Sequence, residues 1–461
     1  MNLHDSDRMA EILEAQGFAR APGLDDADLA IFNTCSVREK AEQKLRSELG
    51  KLAPWKRARE GRVLAVTGCV AQQEGTELLK RAKELDIVLG PDNLAELPGL
   101  FHQMQAGALP TARTEFDLDA PSFLSATHAV KPGAAPVSAF VTTMKGCDER
   151  CSFCIVPTTR GSERYRPAHE ILDEIHSLVA AGTREIVLLG QTVDSYRDPS
   201  LPAPESASPD ESQFPHLLRA IAHRVPTLAR LRYTSPHPRH LTPSLCRAHA
   251  ELGVLAKHVH MPVQSGSNRI LKRMIRRTTR EEYIQRIEQL RSARPGLTLS
   301  TDLIVGFPGE TEADFEATLS LVREVGFVSL FAFKYSPRPF TPALKLGDDV
   351  PESEKSRRLT ALFALAEQLT QAHLEALTGT EQEVLIEGPS KTAGLVSGRT
   401  ERNEIVHLEA PAGVQLVGQL ARVKIDAAYK HSLRGSLLPS ELERLPRGPE
   451  RKLRRALEVM S

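Results

Sequence analysis

Along the first hundred positions apolar residues recur in two alternating rhythms. Short runs of strand length, "DLAIFNT", "RVLAVTG" and "DIVLGP", each end in turn or cap residues. Between them "DRMAEILEAQG" and "GTELLKRAKEL" carry helical spacing. This alternation predicts an open parallel α/β sheet over residues 1–105, with helices on its faces. Cys35 and Cys69 each follow a predicted strand directly, at the end where open α/β sheets keep their sites. Residues 106–132 carry Pro, Gly, Ala and Ser without a sustained period and read as a linker.

A longer alternation runs over 133–375. Its predicted strands are "VSAFVTTM", "REIVLLG", "RLRYTS", "HVHMPVQ", "LTLSTDLIVGF" and "VSLFAFKYS", with helical stretches such as "AHEILDEIHSLVAAG" between them. Six β-α units in series predict a partial (β/α)6 barrel of TIM type. The segment 197–215, "RDPSLPAPESASPDESQFP", interrupts the second unit and is expected to be a solvent-exposed insertion. Over 376–439 the rhythm shortens to strands with glycine-containing turns, which predicts a small all-β barrel. Residues 440–461 form a basic tail. The chain is therefore expected to be an α/β multidomain protein, and its 461 residues suit roughly three domains.

Charge adds a constraint. Lys+Arg and Asp+Glu both number 59, so a nucleic-acid partner would have to meet a local basic patch. The polar, acidic N-terminus does not read as a signal peptide, and no apolar run reaches the ~18 residues of a membrane span. The expected location is cytoplasmic, with no membrane partner. There, clustered cysteines are more often metal ligands or redox groups than disulfides.

Candidate chemistry is concentrated in "GCDERCSFCIVP", residues 146–157, where Cys147, Cys151 and Cys154 follow the first strand of the six-unit segment. A structural zinc asks for four ligands in a tetrahedron, and the next residue of that kind, His169, lies inside a predicted helix. A catalytic zinc on three cysteines remains open as a reading. A 4Fe-4S cluster on three thiolates leaves one iron without a protein ligand. That iron can chelate S-adenosylmethionine through its amine and carboxylate. Further loops follow the later strands, at Gly190, Gln191 and Thr192, at Pro236 and His237, at Ser265, Gly266 and Ser267, and at Pro308, Gly309 and Glu310. In a β/α barrel all of them crown the face that carries the active site. His237, His258 and His260 read as structural, Cys246 as a buried thiol, and Trp55 as packed on a helix.

Several stretches taken together resemble the methylthiotransferases of the radical S-adenosylmethionine superfamily. They are "CDERCSFCIVPTTRGSERYRP", "LLGQTVDSY", "HMPVQSGSNRILKRM" and "TDLIVGFPGET" in the middle of the chain, and "NTCSVREKAEQK" and "TGCVAQQ" near its start. "GRTERNEIVHLE", "GQLARVKI" and "HSLRGSL" resemble the family's C-terminal TRAM domain. The likeness covers nearly the whole chain, and "NTCSVREKAEQK" and "VPTTRGSERYRP" are similar to the tRNA-modifying branch, which makes 2-methylthio-isopentenyladenosine beside the anticodon.

The resemblance implies two 4Fe-4S clusters. Cys147, Cys151 and Cys154 would hold the one that cleaves S-adenosylmethionine. An auxiliary cluster supplies sulfur, and Cys35 and Cys69 match two of its three ligands. The third cysteine of the family belongs to a Gly-Cys-Gln-Met-Asn motif, and this sequence begins at that motif's Met-Asn. The expectation is a start assigned too late or a shortened chain, with the auxiliary cluster weakly held. Two smaller departures are Thr278, where the family usually has Tyr, and Phe340, where Gly is usual.

The implied reaction puts sulfur and a methyl group on carbon 2 of N(6)-isopentenyladenosine at tRNA position 37. That carbon offers no acidic proton and no leaving group, so a radical is needed. Phe153, Gly190, Gln191, Gln264, Ser265 and Asp302 are the cofactor-contact candidates, with Phe153 reading equally as a core residue. Arg399, Arg402 and Lys424 are candidate phosphate contacts. Arg273, Arg276, Arg277 and Arg280 form another basic cluster near the barrel mouth. Implied partners are a tRNA anticodon stem-loop and a reductant such as flavodoxin or ferredoxin; no sulfur donor is named. Two other readings are a methylthiotransferase acting on another adenosine derivative or on a ribosomal protein, and a non-catalytic RNA-binding protein.

Overall fold

A computed structural model describes residues 2–36, 39–116, 123–124, 135–411 and 413–446. Four parallel strands open the chain in the order β1 (Leu29–Thr34), β2 (Val63–Gly68), β3 (Ile87–Leu89) and β4 (Thr111–Arg113). Every residue of β2 and β3 is buried, as helix-covered parallel strands require. The strand β4 comes from the stretch read as linker. Three residues are too short to show a period, and only their pairing with β3 defines them as a strand. Trp55 lies in the helix Glu39–Ala58, buried, and its Nε1 donates to the Leu24 carbonyl at 2.6 Å.

The six expected barrel strands form two parallel sheets of three. One contains β5 (Ser138–Thr142), β8 (Glu185–Leu189) and β9 (Arg230–Tyr233). The other contains β10 (His258–His260), β11 (Thr298–Val305) and β12 (Ser329–Lys334). A parallel bridge from Leu231 to Leu255 joins them, so the arc is a partial barrel. A short antiparallel pair, β6 (Met144–Lys145) with β7 (Arg164–Tyr165), brackets the three-cysteine loop. Within the segment 197–215 the middle is exposed, but Asp198, Glu211, Ser212 and Gln213 are buried. Glu211 accepts from Thr242 at 3.0 Å, and Asp198 accepts from the Tyr196 hydroxyl at 3.4 Å. The insertion is therefore tethered at both ends to the barrel.

The helix Glu352–Ala376 leads to a closed barrel of β13 (Glu381–Pro389), β14 (Leu395–Thr400), β15 (Ile405–Glu409), β17 (Ser432–Leu437) and β16 (Leu420–Tyr429). Alternation is visible in β16, where Val423 and Ile425 point inward and Arg422 and Lys424 outward. This barrel docks at the N-terminal ends of the parallel strands. Arg230, the first residue of β9, donates to the Arg399 carbonyl at 3.1 Å, and Arg232 donates to the Thr400 carbonyl at 2.9 Å. Most of the basic tail lies outside the described residues. Among the described residues no helix is long and apolar enough to cross a membrane.

Buried ions join the first domain to the second. Asp92 takes Lys145 at 3.2 Å and also Arg164, with all three side chains buried. Arg8 reaches Glu174 at 2.7 Å, and Arg160 reaches Asp5 at 2.8 Å. Removing one member of such a set strands the others without a counter-charge. Asp92→Asn is therefore expected to cost about 3–5 kcal/mol, read as a lower melting temperature and earlier proteolysis between the first and second domains. An unchanged melting temperature would contradict the assigned role of this ion triad.

Candidate active site

Each cysteine site begins with a glycine in a conformation that other residues resist. Gly68 has φ +90°, and a Cβ there would stand 2.6 Å from the Thr34 carbonyl oxygen. Thr34 and Gly68 are paired in register, so Cys35 and Cys69 leave adjacent strands side by side. Gly146 has φ +80°, and its Cβ would fall 1.9 Å from the Ser162 carbonyl oxygen. That approach lets the chain turn straight from β6 into Cys147.

The loop from Cys147 to Cys154 is held from several sides. Gln191 accepts from the Gly146 N–H at 2.6 Å, and the Cys147 N–H donates to the Gly161 carbonyl at 3.1 Å. Glu149 pairs with Arg239 at 3.0 Å. The Ser152 N–H donates to the Met274 carbonyl at 2.9 Å, and its hydroxyl donates to the Arg273 carbonyl at 2.8 Å. Asp194 ties the loops after β8 and β9 together by accepting from the His237 N–H at 2.8 Å. Burial pushes its carboxyl up to about 7.

The sulfur atoms also have neighbours. The Thr192 hydroxyl lies 3.0 Å from Cys147 Sγ, and Arg276 Nη1 donates to Cys151 Sγ at 3.3 Å. Burial pushes the thiols of Cys147 and Cys154 up to about 12. Among the described residues no three His, Cys, Asp or Glu side chains converge on a point as ligands of one metal ion. A 4Fe-4S cluster makes a different demand, because its thiolates bind separate irons. Soft sulfur donors, hydrogen bonds aimed at those sulfurs and a buried guanidinium all suit such a group.

The two cysteine sites face each other. The helix Cys69–Glu74 packs on the helix Val156–Arg160, which directly follows the loop. Arg160 is buried between Asp5 and Cys69, and each of them raises its pKa. After burial and Cys151, Cys69 also contributes to the raised pKa of Cys154.

Beside the loop opens a cleft of about 840 Å³, lined by Phe153, Cys154, Gln264 and Asp302 and walled by Phe331, Leu359 and Phe363. Asp302 Oδ2 lies 3.3 Å from His260 Nε2. The left-handed backbone of Gln264, φ +78°, turns it away from the strand direction. Three of the expected cofactor contacts lie outside the cleft lining: Gly190 packs on Met144, Gln191 holds the cysteine loop, and Ser265 is fully buried near Thr318. Thr192, in the same loop, stands beside Cys147.

The basic candidates divide as well. Arg399 is engaged with Glu387 and Asn403, and Arg402 donates to Gln382 at 2.7 Å, both at the junction between domains. Lys424 is exposed. The expected patch of Arg273, Arg276, Arg277 and Arg280 is no surface cluster: Arg276 is buried, and Arg280 pairs with Glu324 at 2.6 Å. Phe340, at the family's usual glycine, has φ +65° and is exposed, so it keeps the glycine-like turn. Contacts of Glu149, Arg160 and Arg276 span tens of positions or more and leave no local signal in the sequence.

Comparison with known proteins agrees with this geometry. Residues 141–322 match the Radical SAM superfamily, 1–90 match Uncharacterized protein family UPF0004, and 375–438 match the TRAM domain. A tRNA-2-methylthio-N(6)-dimethylallyladenosine synthase of Sorangium cellulosum is 63 % identical, covering 95 % of this chain and 91 % of the relative. A synthase of the same name from Acidithiobacillus ferrooxidans is 46 % identical, covering 94 % of each. A solved radical S-adenosylmethionine methyltransferase, TsrM from Kitasatospora setae, aligns with TM-score 0.49 at 15 % identity, over 85 % of this chain and 77 % of that one. The chain belongs to the tRNA-2-methylthio-N(6)-dimethylallyladenosine synthase family of radical S-adenosylmethionine enzymes.

Proposed function

We propose that this chain inserts sulfur and a methyl group at carbon 2 of N(6)-isopentenyladenosine at tRNA position 37. The observation that carries this reading is the meeting of two cysteine sites across a domain junction, beside one cleft. Cys147, Cys151 and Cys154 hold the 4Fe-4S cluster of the barrel, and Cys35 and Cys69 contribute to the auxiliary one. A 4Fe-4S cluster held by Cys147, Cys151 and Cys154 would supply the electron for reductive cleavage of S-adenosylmethionine.

The other residues bind and orient. Gln264 and Asp302 offer polar groups to the cofactor, and Phe153 packs near its adenine. Phe331 and Phe363 line the cleft and are 53 % and 46 % exposed, which suits stacking of an unpaired base and exclusion of water. A base in an anticodon loop is already free of the duplex, so turning it into the cleft costs little pairing energy. Lys424 is the phosphate contact that stays open on the small barrel. The partners proposed are the tRNA anticodon stem-loop and a one-electron donor such as flavodoxin or ferredoxin, in the cytoplasm.

Nucleoside mass spectrometry of tRNA tests the substrate. A strain without this gene should accumulate N(6)-isopentenyladenosine and lack its 2-methylthio form. Unaltered tRNA together with a mass change in a ribosomal protein would favour the other branch. Cys151→Ala should bring 5′-deoxyadenosine formation down to background, and continued formation would refute the ligand assignment. Gly146→Ala, whose Cβ meets the Ser162 carbonyl, should reduce bound iron per chain after anaerobic reconstitution. Full iron content in that variant would show that the turn does not shape the site.

A further inference from the structure

Arg276 is buried, yet no carboxylate pairs with it among the described residues. Its Nη2 donates to the Pro262 carbonyl at 2.6 Å and its Nη1 to Cys151 Sγ at 3.3 Å, while its buried Nε has no partner. A guanidinium away from water needs a counter-charge. Every other buried cation at this junction has one: Lys145 and Arg164 share Asp92, Arg160 has Asp5, and Arg166 has Glu174.

The backbone that delivers Arg276 is itself unusual. Ile275 and Arg277, on either side, have φ +57° and +51°. A β-branched residue is a poor occupant of the left-handed region. Ile275 is also partly exposed, so core packing does not offset that conformation. Backbone of this kind persists where the surroundings over-determine it. Here they do, since the carbonyls of Arg273 and Met274 clamp Ser152, next to Cys151.

We propose that Arg276 is a positioning residue for the cluster held by the three-cysteine loop. Its guanidinium supplies the fixed positive charge and the N–H···S hydrogen bond that make this cluster easier to reduce. The anionic cluster with its three thiolates is, in turn, the counter-charge the buried guanidinium otherwise lacks. This inference rests on the cluster reading above. Hydrogen bonds to cluster sulfurs and nearby positive charge raise a reduction potential. The substitution Arg276→Gln should therefore shift the midpoint in the negative direction, and Arg276→Lys, with one nitrogen for two acceptors, should fall between.

The test is a mediated redox titration of the anaerobically reconstituted full chain, followed by electron paramagnetic resonance. The signal read is the one that changes when S-adenosylmethionine is added, which distinguishes this cluster from the auxiliary one. The expected order of midpoints, highest first, is parent, R276K, R276Q, with iron content retained. A parent midpoint in R276Q would overturn the proposal while leaving the cluster reading intact. If R276Q sheds its iron, R276K decides, and an unmoved midpoint there overturns it. A parent chain with no signal responsive to S-adenosylmethionine would overturn both.

Discussion

At the mouth of the partial barrel a guanidinium and three thiols are largely withdrawn from water, and neither kind of group tolerates that alone. Burial pushes the Cys147 and Cys154 thiols up to about 12. Arg276 has a sulfur and a carbonyl for company, but no carboxylate among the described residues. A metal-sulfur cluster held by the three thiolates would resolve both problems, because iron would replace the thiol protons and the resulting anion would stand beside the guanidinium. The surrounding hydrogen bonds follow from this constraint. Gln191, Thr192, Glu149 and Ser152 fix the loop, beside the apolar packing of Phe153 and Ile155.

The same electrostatic logic joins the domains. Asp92 and Asp5 belong to the first domain, and the cations they satisfy, Lys145, Arg164 and Arg160, flank the cysteine loop of the second. These ion pairs bring Cys69 up to the barrel mouth. Because each partner is buried, the pairs act as a positional lock: sliding the interface would leave charges unmatched in a medium of low polarity. A reaction that needs two cysteine sites beside one substrate depends on that lock.

The small barrel sits at the opposite end of the parallel strands. There Arg230 and Arg232 grip the backbone around Arg399 and Thr400. The side chains of Arg399 and Arg402, which looked most suited to phosphate, are engaged within the small barrel itself, with Lys424 left facing outward. The apolar, aromatic wall of Phe331 and Phe363 lies on the barrel's open side, where the arc of six strands fails to close. An incomplete barrel thus leaves lateral room for a bulky polymer substrate.

Much of this was legible in the chain. Strand length, helical spacing and glycine turns marked three domains, since each element reports its own local period. The C-x3-C-x2-C spacing marked the loop as candidate chemistry, because three thiols on one short turn need no distant help. Some functions could not be read this way. Arg276 looked like one of four arginines in a basic cluster near the barrel mouth, and Arg399 like a phosphate contact, because a charged residue's role depends on what faces it after folding. The pairing of Arg276 with Cys151, 125 positions apart, and of Cys69 with Arg160 exists only once the domains dock. Local propensity determined the elements and the cysteine loop; burial of charge between distant segments decided which side chains serve it.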